Sequence, residues 1–225
     1  GTVNDLLMCG GEPKYLSLSF VIEEGLRTDD FRRVVASIKK AAEAAGVRIV
    51  TGDTKVVERG KGDELYINTS GIGVVESGAV HPQGIQSGDL ILINGDVGRH
   101  GTAIMSIREG LAFETTIESD TCELWTLVQM LIQEGIKLHC LRDLTRGGLA
   151  TALVELAHAR GVEIEIDESI IPVDETVRGA AEFLGLDPLY IACEGRMIAF
   201  VPKEHAEKAL GIMERFGNNP QIIGR

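Results

Sequence analysis

Two acidic, glycine-bearing segments hold the residues best suited to chemistry: Thr51-Gly52-Asp53-Thr54-Lys55 and Leu141-Arg142-Asp143-Leu144-Thr145-Arg146-Gly147-Gly148. Each follows a short apolar strand pattern, so each is expected to set a carboxylate in a tight turn at a strand end. The second runs directly into a helical pattern, where glycines and a helix N-terminus can meet an anion. Aspartates beside amide-rich turns hold a nucleotide's phosphates through magnesium. On that reading Asp53 binds magnesium and Lys55 a phosphate oxygen. The plainer alternative is a polar turn in which Asp53 bonds locally. For Asp143 it is a helix cap with surface arginines. Asn4-Asp5 is expected to form a third acidic turn.

Other constellations say less. Gly95 to Gly101 has glycines spaced like a phosphate turn, but lacks the Gly-Lys-Ser/Thr ending of a P-loop. His100 in that loop is either a base or substrate contact, or an ordinary solvated side chain. Glu194 follows the apolar run Leu189 to Ala192, expected to be a strand, and precedes a second strand at Arg196 to Val201. A carboxylate between two buried strands is partly desolvated, which suits a general base. Its alternative is a turn glutamate paired with Arg196. The four cysteines, Cys9, Cys122, Cys140 and Cys193, form no CxxC pair and are expected to be small buried residues in a reducing compartment.

These residues need a scaffold. Alternation at Leu16, Leu18, Phe20 and Ile22 predicts a strand. A helix is expected from a Thr28 cap to Gly46, then strands at Val47 to Thr51 and Leu65 to Val75. Glu76 to Gly88 has the composition of a linker. Beyond it, strands are expected at 90–94, 138–141, 162–166 and 196–201. Helices are expected after Gly101, around Leu124 to Ile132, and at 148–160 and 203–216. The fold class is α+β, with two α/β domains at 1–80 and 88–225. With 225 residues and 44% hydrophobic content the chain can bury real cores. Its formal net charge of −12 disfavours nucleic acid and anionic lipid as partners. Neither a leader pattern nor an apolar window long enough to span a bilayer is found, so a cytoplasmic protein is expected.

Several stretches together resemble one family. Gly1 to Leu6, Tyr15-Leu16-Ser17, Glu23 to Leu26, Val50 to Val57, Arg142 to Gly148 and Glu194-Gly195 are similar to the HypE hydrogenase maturation factors. The wider superfamily includes aminoimidazole ribonucleotide synthetase, selenophosphate synthetase and thiamine monophosphate kinase. The resemblance implies ATP-dependent dehydration of a carboxamide, carried on the protein's own C-terminal cysteine, to a thiocyanate. That group supplies cyanide for the nickel-iron hydrogenase centre. It implies ATP and Mg2+ as cofactors, with Asp5, Asp53 and Asp143 on the metal. Asn4, Thr54, Thr145, Arg146 and Gly147 would join Asp5, Asp53 and Asp143 in binding the nucleotide. Glu194 would deprotonate the carboxamide nitrogen, Lys55 would assist at phosphate, and Arg99 and His100 would lie near the incoming tail. Implied partners are a second copy, joined through the first-domain sheets into a closed barrel, then HypF as carbamoyl donor and a HypC–HypD complex as cyanide acceptor.

Two family features fall outside the sequence: an N-terminal strand before Gly1 and a cysteine-bearing tail after Arg225. The chain alone is therefore expected not to turn over. Two rivals stand beside this reading. One is another synthetase or kinase of the superfamily, of the selenophosphate synthetase or thiamine monophosphate kinase type. The other is a non-catalytic docking module.

Overall fold

The computed structural model describes residues 1–75, 80–108, 110 and 117–225. It divides into two compact units, Gly1–Leu7 with Gly11–Gly78, and Met8–Gly10 with Ala79–Arg225. The chain opens on helix α1 (Thr2–Met8), so Asn4 and Asp5 are helical rather than in a turn. An acidic residue in the first turn complements the helix dipole, and the Asp5 N–H donates to the Gly1 carbonyl at 3.0 Å.

The first unit is a three-stranded sheet of β1 (Glu12–Glu23), β2 (Arg48–Val57) and β3 (Leu65–Val74), in the order β2-β1-β3. β1 pairs in parallel with β2 and antiparallel with β3. Because β1 is central, the free edges belong to β2 and β3, not to the alternating strand that the sequence made most conspicuous. Helix α2 (Thr28–Ala44) connects β1 to β2. Its N-cap is Arg27, which makes no side-chain cap bond, so Thr28 starts the helix instead of capping it. Gly46 follows the helix at φ +66°, the left-handed conformation that glycine supplies at helix ends. The core here is small: Leu16, Ala45 and Val47, with Val3 and Ala42 against them. Much apolar surface stays open, including Val56, Tyr66, Ile67 and Ile72.

The second unit is built on a four-stranded antiparallel sheet of β4 (Leu90–Ile93), β5 (Cys140–Asp143), β6 (Met197–Val201) and β7 (Gln221–Gly224), ordered β5-β6-β4-β7. All five residues of β6 are buried, as a strand covered on both faces must be. Ile91, Ile93, Ile198 and Phe200 pack with Leu149, Leu153 and Leu156 of α5 (Gly148–Arg160). Helices α3 (Arg99–Arg108), α4 (Trp125–Gln133), α6 (Glu175–Leu184) and α7 (Lys203–Glu214) complete the unit. Helix α6, which the sequence reading passed over, is capped by Asp174 through the Thr176 N–H.

Two expected strands are absent. Residues 162–166 reduce to an isolated bridge between Ile166 and Gly224, because Asp167 turns the chain by accepting the Ser169 N–H. Leu189 to Ala192 is not a strand, since Pro188–Tyr190 forms a 3-10 turn whose start Asp187 caps. The expected linker lies partly outside the described residues, and Pro82–Gly84 within it is a 3-10 turn. Among the described residues no helix is long and apolar enough to cross a membrane.

Candidate active site

The first acidic motif lies inside β2, not in a turn. Gly52 pairs with Leu18, Asp53 with Ser19, Thr54 with Phe20 and Lys55 with Val21. The glycine is required by the neighbouring strand: a Cβ at Gly52 would sit 1.8 Å from the Leu18 carbonyl oxygen. Asp53 and Lys55, two residues apart, share one sheet face. Phe20 and Thr54 lie on the other, where the Phe20 ring meets Phe31 of α2 edge-on at 5.0 Å. Asp53, Thr54 and Lys55 are all exposed. Asp53 Oδ1 accepts the Thr54 N–H at 2.8 Å.

The second motif is a strand-to-helix turn, as its sequence requires. Asp143 ends β5 and is buried, Thr145 is half-buried, and Arg146 is exposed. Arg142 pairs with Glu155 of α5. Gly147 caps α5 at φ +74° and Gly148 follows at +62°. Beyond that conformation, a Cβ at Gly148 would lie 2.5 Å from the Leu189 carbonyl and 2.7 Å from that of Ile191. The glycines therefore let the start of α5 lie directly under the 188–191 turn.

After β4 the chain runs through Asn94-Gly95-Asp96-Val97-Gly98 into α3. Arg99 and His100 are in the first turn of that helix, not in a loop. His100 is half-buried, and its Nδ1 is 2.8 Å from Ser119 Oγ in an exposed contact. Asp96 is a hub that spacing did not single out. Its Oδ1 accepts Arg196 Nη2 at 2.6 Å, its carbonyl accepts Arg196 Nε at 2.9 Å, and its Oδ2 accepts Arg99 Nε at 3.0 Å. Arg99 also reaches Asp174 at 3.3 Å. Arg196 is thus committed to Asp96.

The Glu194-Gly195-Arg196 turn is held on several sides. The Glu194 N–H donates to Asp120 Oδ1 at 2.9 Å. Asn94 Nδ2 donates to the Gly195 carbonyl at 3.2 Å, and Asn94 Oδ1 accepts the Met197 N–H at 2.8 Å. A Cβ on Gly195 would lie 2.0 Å from the Asp120 carbonyl oxygen, so only glycine fits there. The Leu144 N–H donates to the Arg196 carbonyl and the Cys193 N–H to the Leu144 carbonyl, which stitches the Asp143 turn to the Glu194 turn.

Beside this turn is a polar cavity of about 640 Å³, lined in part by Asp96, Arg99, Asp120, Cys122, Asp174 and Arg196. Of the residues that sequence put forward, Arg99 lines it. Glu194 joins it through its main-chain bond to Asp120, and His100 through Ser119. Burial pushes the Asp120 carboxyl above its ordinary value, against the Glu194 N–H, Arg196 and His100, which pull it down. Cys140 and Cys193 are buried, with thiols pushed up to about 12 by desolvation. Cys9 and Cys122 are exposed, against the expectation for all four.

The donor chemistry can be tested against magnesium. Asp5 and Asp53 are exposed carboxylates of the first unit, and Asp143 ends a strand of the second. All offer hard oxygen ligands. Among the described residues no group of three or more His, Cys, Asp or Glu side chains is close enough to hold a metal alone. Magnesium commonly takes one or two protein carboxylates and completes its shell with phosphate oxygens and water. Each of these carboxylates, taken alone, offers magnesium a hard oxygen ligand of the kind that phosphate oxygens and water would complete.

Asn94, Asp96 and Asp120 escaped the sequence reading, and Arg196 entered it only as a partner for Glu194, whereas it pairs with Asp96. Asp96 and Arg196 stood inside segments already noticed, flanked by glycines, and that flanking was the available signal. Asp120, in Glu118-Ser119-Asp120-Thr121, has no local mark, because its partner lies 74 residues away.

The profile of the AIR synthase related protein N-terminal domain matches residues 1–75, and that of the C-terminal domain matches 86–225. A carbamoyl dehydratase HypE from Azotobacter vinelandii is 50% identical over 228 residues, which span 100% of this chain and 67% of that protein. The chain belongs to the HypE family. Among solved structures, a hydrogenase maturation protein HypE in complex with ATP superposes on this HypE-family chain with a TM-score of 0.96 at 48% identity, covering 100% of the chain and 68% of that one. The HypE of a HypE–HypF complex gives 0.94 at 47% identity, covering 99% and 74%. The two-domain α/β architecture is that of the family.

Proposed function

We propose that this HypE-family chain carries out the ATP-dependent dehydration of a carboxamide on the protein's own C-terminal cysteine, leaving a thiocyanate that supplies cyanide for nickel-iron hydrogenase maturation. The observation that carries the reading is identity near one half, across the whole chain, to a carbamoyl dehydratase. The chain's own residues can be matched to the demands of that chemistry.

An amide oxygen is a poor leaving group, and phosphorylation makes it a good one. The transferring phosphoryl group needs cationic and metal neutralisation more than covalent help. Lys55 and Arg146 meet phosphate oxygens, and both are exposed and able to reach a ligand. Asp5, Asp53 and Asp143 would hold magnesium, which would neutralise charge on the phosphates. Asn4, Thr54, Thr145 and Gly147 bind the nucleotide alongside them. Glu194 takes a proton from the carboxamide nitrogen, and its main chain is already fixed by Asp120. Arg99 and His100, in the first turn of α3, meet the incoming tail.

Partners follow from the same family. A second copy joins through the open first-unit sheet into a barrel, which would cover the exposed Tyr66 and Ile72. HypF donates the carbamoyl group, a HypC–HypD complex accepts cyanide, and the setting is cytoplasmic.

The test is carbamoyl-dependent ATP hydrolysis, with mass spectrometry of the tail, on the full-length protein. The expected product is the carbamoylated tail less one water. ATP turnover that instead requires selenide or a thiamine phosphate would move the protein to a sister activity. A melting temperature unmoved by magnesium-ATP would favour a docking module, because a ligand that binds only the native state must raise it.

A further inference from the structure

We propose that Asp120 is a positioning residue for the reaction, fixing Glu194 in place through the main chain. This rests on the reading of Glu194 as the base. Three observations carry it. Asp120 Oδ1 accepts the Glu194 N–H at 2.9 Å across 74 residues of sequence, so a remote segment sets the backbone at that residue. The Asp120 carbonyl backs so closely onto Gly195 that a Cβ would approach to 2.0 Å, and a Cβ there would also meet Cys122 Sγ at 2.5 Å. The 120–122 segment is therefore a wall behind the Glu194-Gly195 turn, not a loose neighbour.

The third observation is a cost. Among the described residues, Asp120 Oδ2 is buried without a hydrogen-bond partner. A buried polar atom left unsatisfied destabilises a fold by about 1–3 kcal/mol. A carboxylate retained at that cost, in the wall of a polar cavity, is the pattern of a residue kept for what its other oxygen does. The bond to Glu194 is what Oδ1 does. Asn94 and Arg196 hold the far side of the same turn, and Asp120 holds the Glu194 amide.

Asparagine at 120 keeps an oxygen that can accept the Glu194 N–H, whereas alanine removes it. The experiment measures single-turnover conversion of the carbamoylated tail in full-length protein, together with ATP half-saturation and melting temperature. Asp120→Ala should slow conversion roughly tenfold to a hundredfold, within the range for a misplaced general base, with ATP half-saturation unchanged. Asp120→Asn should stay within about threefold of wild type, on the same grounds. In a Glu194→Gln background Asp120→Ala should add less than about twofold, because it acts through a base already removed. If Asp120→Ala melts too low to assay, Asp120→Ser, smaller than Asp and unable to span the same distance, carries the same expectation.

Three results would overturn the proposal: Asp120→Ala equal to wild type, Asp120→Asn as slow as Asp120→Ala, or losses that multiply fully in the Glu194→Gln background. Wild-type protein that makes no thiocyanate would instead sink the dehydratase reading, and this proposal with it. Thiocyanate formed as fast by Glu194→Gln as by wild type would remove Glu194 as the base while leaving that activity standing.

Discussion

Arg196 and Asp96 are joined twice, by Nη2 to Oδ1 at 2.6 Å and by Nε to the Asp96 carbonyl at 2.9 Å, with both residues buried. A buried pair of this kind is costly to break from one side, because the remaining charge stays out of water. Arg196→Met should destabilise the protein by about 3 kcal/mol, at the low end for such pairs because Arg99 remains on Asp96. Urea unfolding would read this as a lower midpoint with an unchanged slope. A slope that changed with the midpoint would mean that the unfolded state or the cooperativity had moved instead.

Two kinds of glycine should respond with opposite sign. Gly52→Ala drives a methyl into the Leu18 carbonyl, which is backbone and cannot swing away. A loss of about 1–3 kcal/mol is expected, the usual range for overpacking. Gly211 lies within α7 with nothing within 4 Å of its missing Cβ. Gly211→Ala should stabilise by roughly 0.5–1 kcal/mol through helix propensity. The pair can be compared in one set of unfolding curves, and equal signs would contradict the strand packing described for β2.

Glu23 ties the β2–β3 connection to β1. Its Oε1 accepts the Gly60 N–H at 2.6 Å and its Oε2 the Glu64 N–H at 3.2 Å. The Gly60 amide is the chief cause holding the carboxyl below its ordinary 4.5, with Glu64 next. A value lowered in the folded state means that the contribution is complete above 4.5 and is lost as pH falls through the lowered value. Protection of the Gly60 and Glu64 amides against exchange should therefore fall on acidification with a midpoint below 4.5, and Glu23→Ala should show low protection at every pH. A midpoint above 4.5 would reverse the sign and refute the assignment.

The first-unit sheet leaves Tyr66 53% and Ile72 67% exposed on β3, an edge strand. If a second copy covers them, Ile72→Asp should place a charge in that interface and shift sedimentation towards the monomer. Melting of the second unit should be little changed. A wild-type protein already monomeric at micromolar concentration would remove this surface from the account.

Much of this was legible in the chain. The alternation at Leu16 to Ile22 marked β1, and the glycines after Thr145 marked a turn into α5, because both signals are local. The Gly52 motif misled, because its glycine answers to Leu18, a residue on another strand that local spacing does not reveal. The order of the second sheet was equally hidden: β6 sits between β5 and β4, and only tertiary pairing decides that. The Glu194 turn was found as residues but not as a site. Its holders, Asn94, Asp96 and Asp120, lie 74 to 103 residues away along the chain.

Placing Asp53 and Lys55 in the middle of a paired strand makes them a ruler. The pleat repeats every two residues, so an anion and a cation stand about 7 Å apart along one side of a stiff rail. A single inserted residue between them would flip one charge to the reverse side of the sheet. Loops tolerate length changes, but a spacing set by the pleat does not, and an insertion in β2 there would part the two charges.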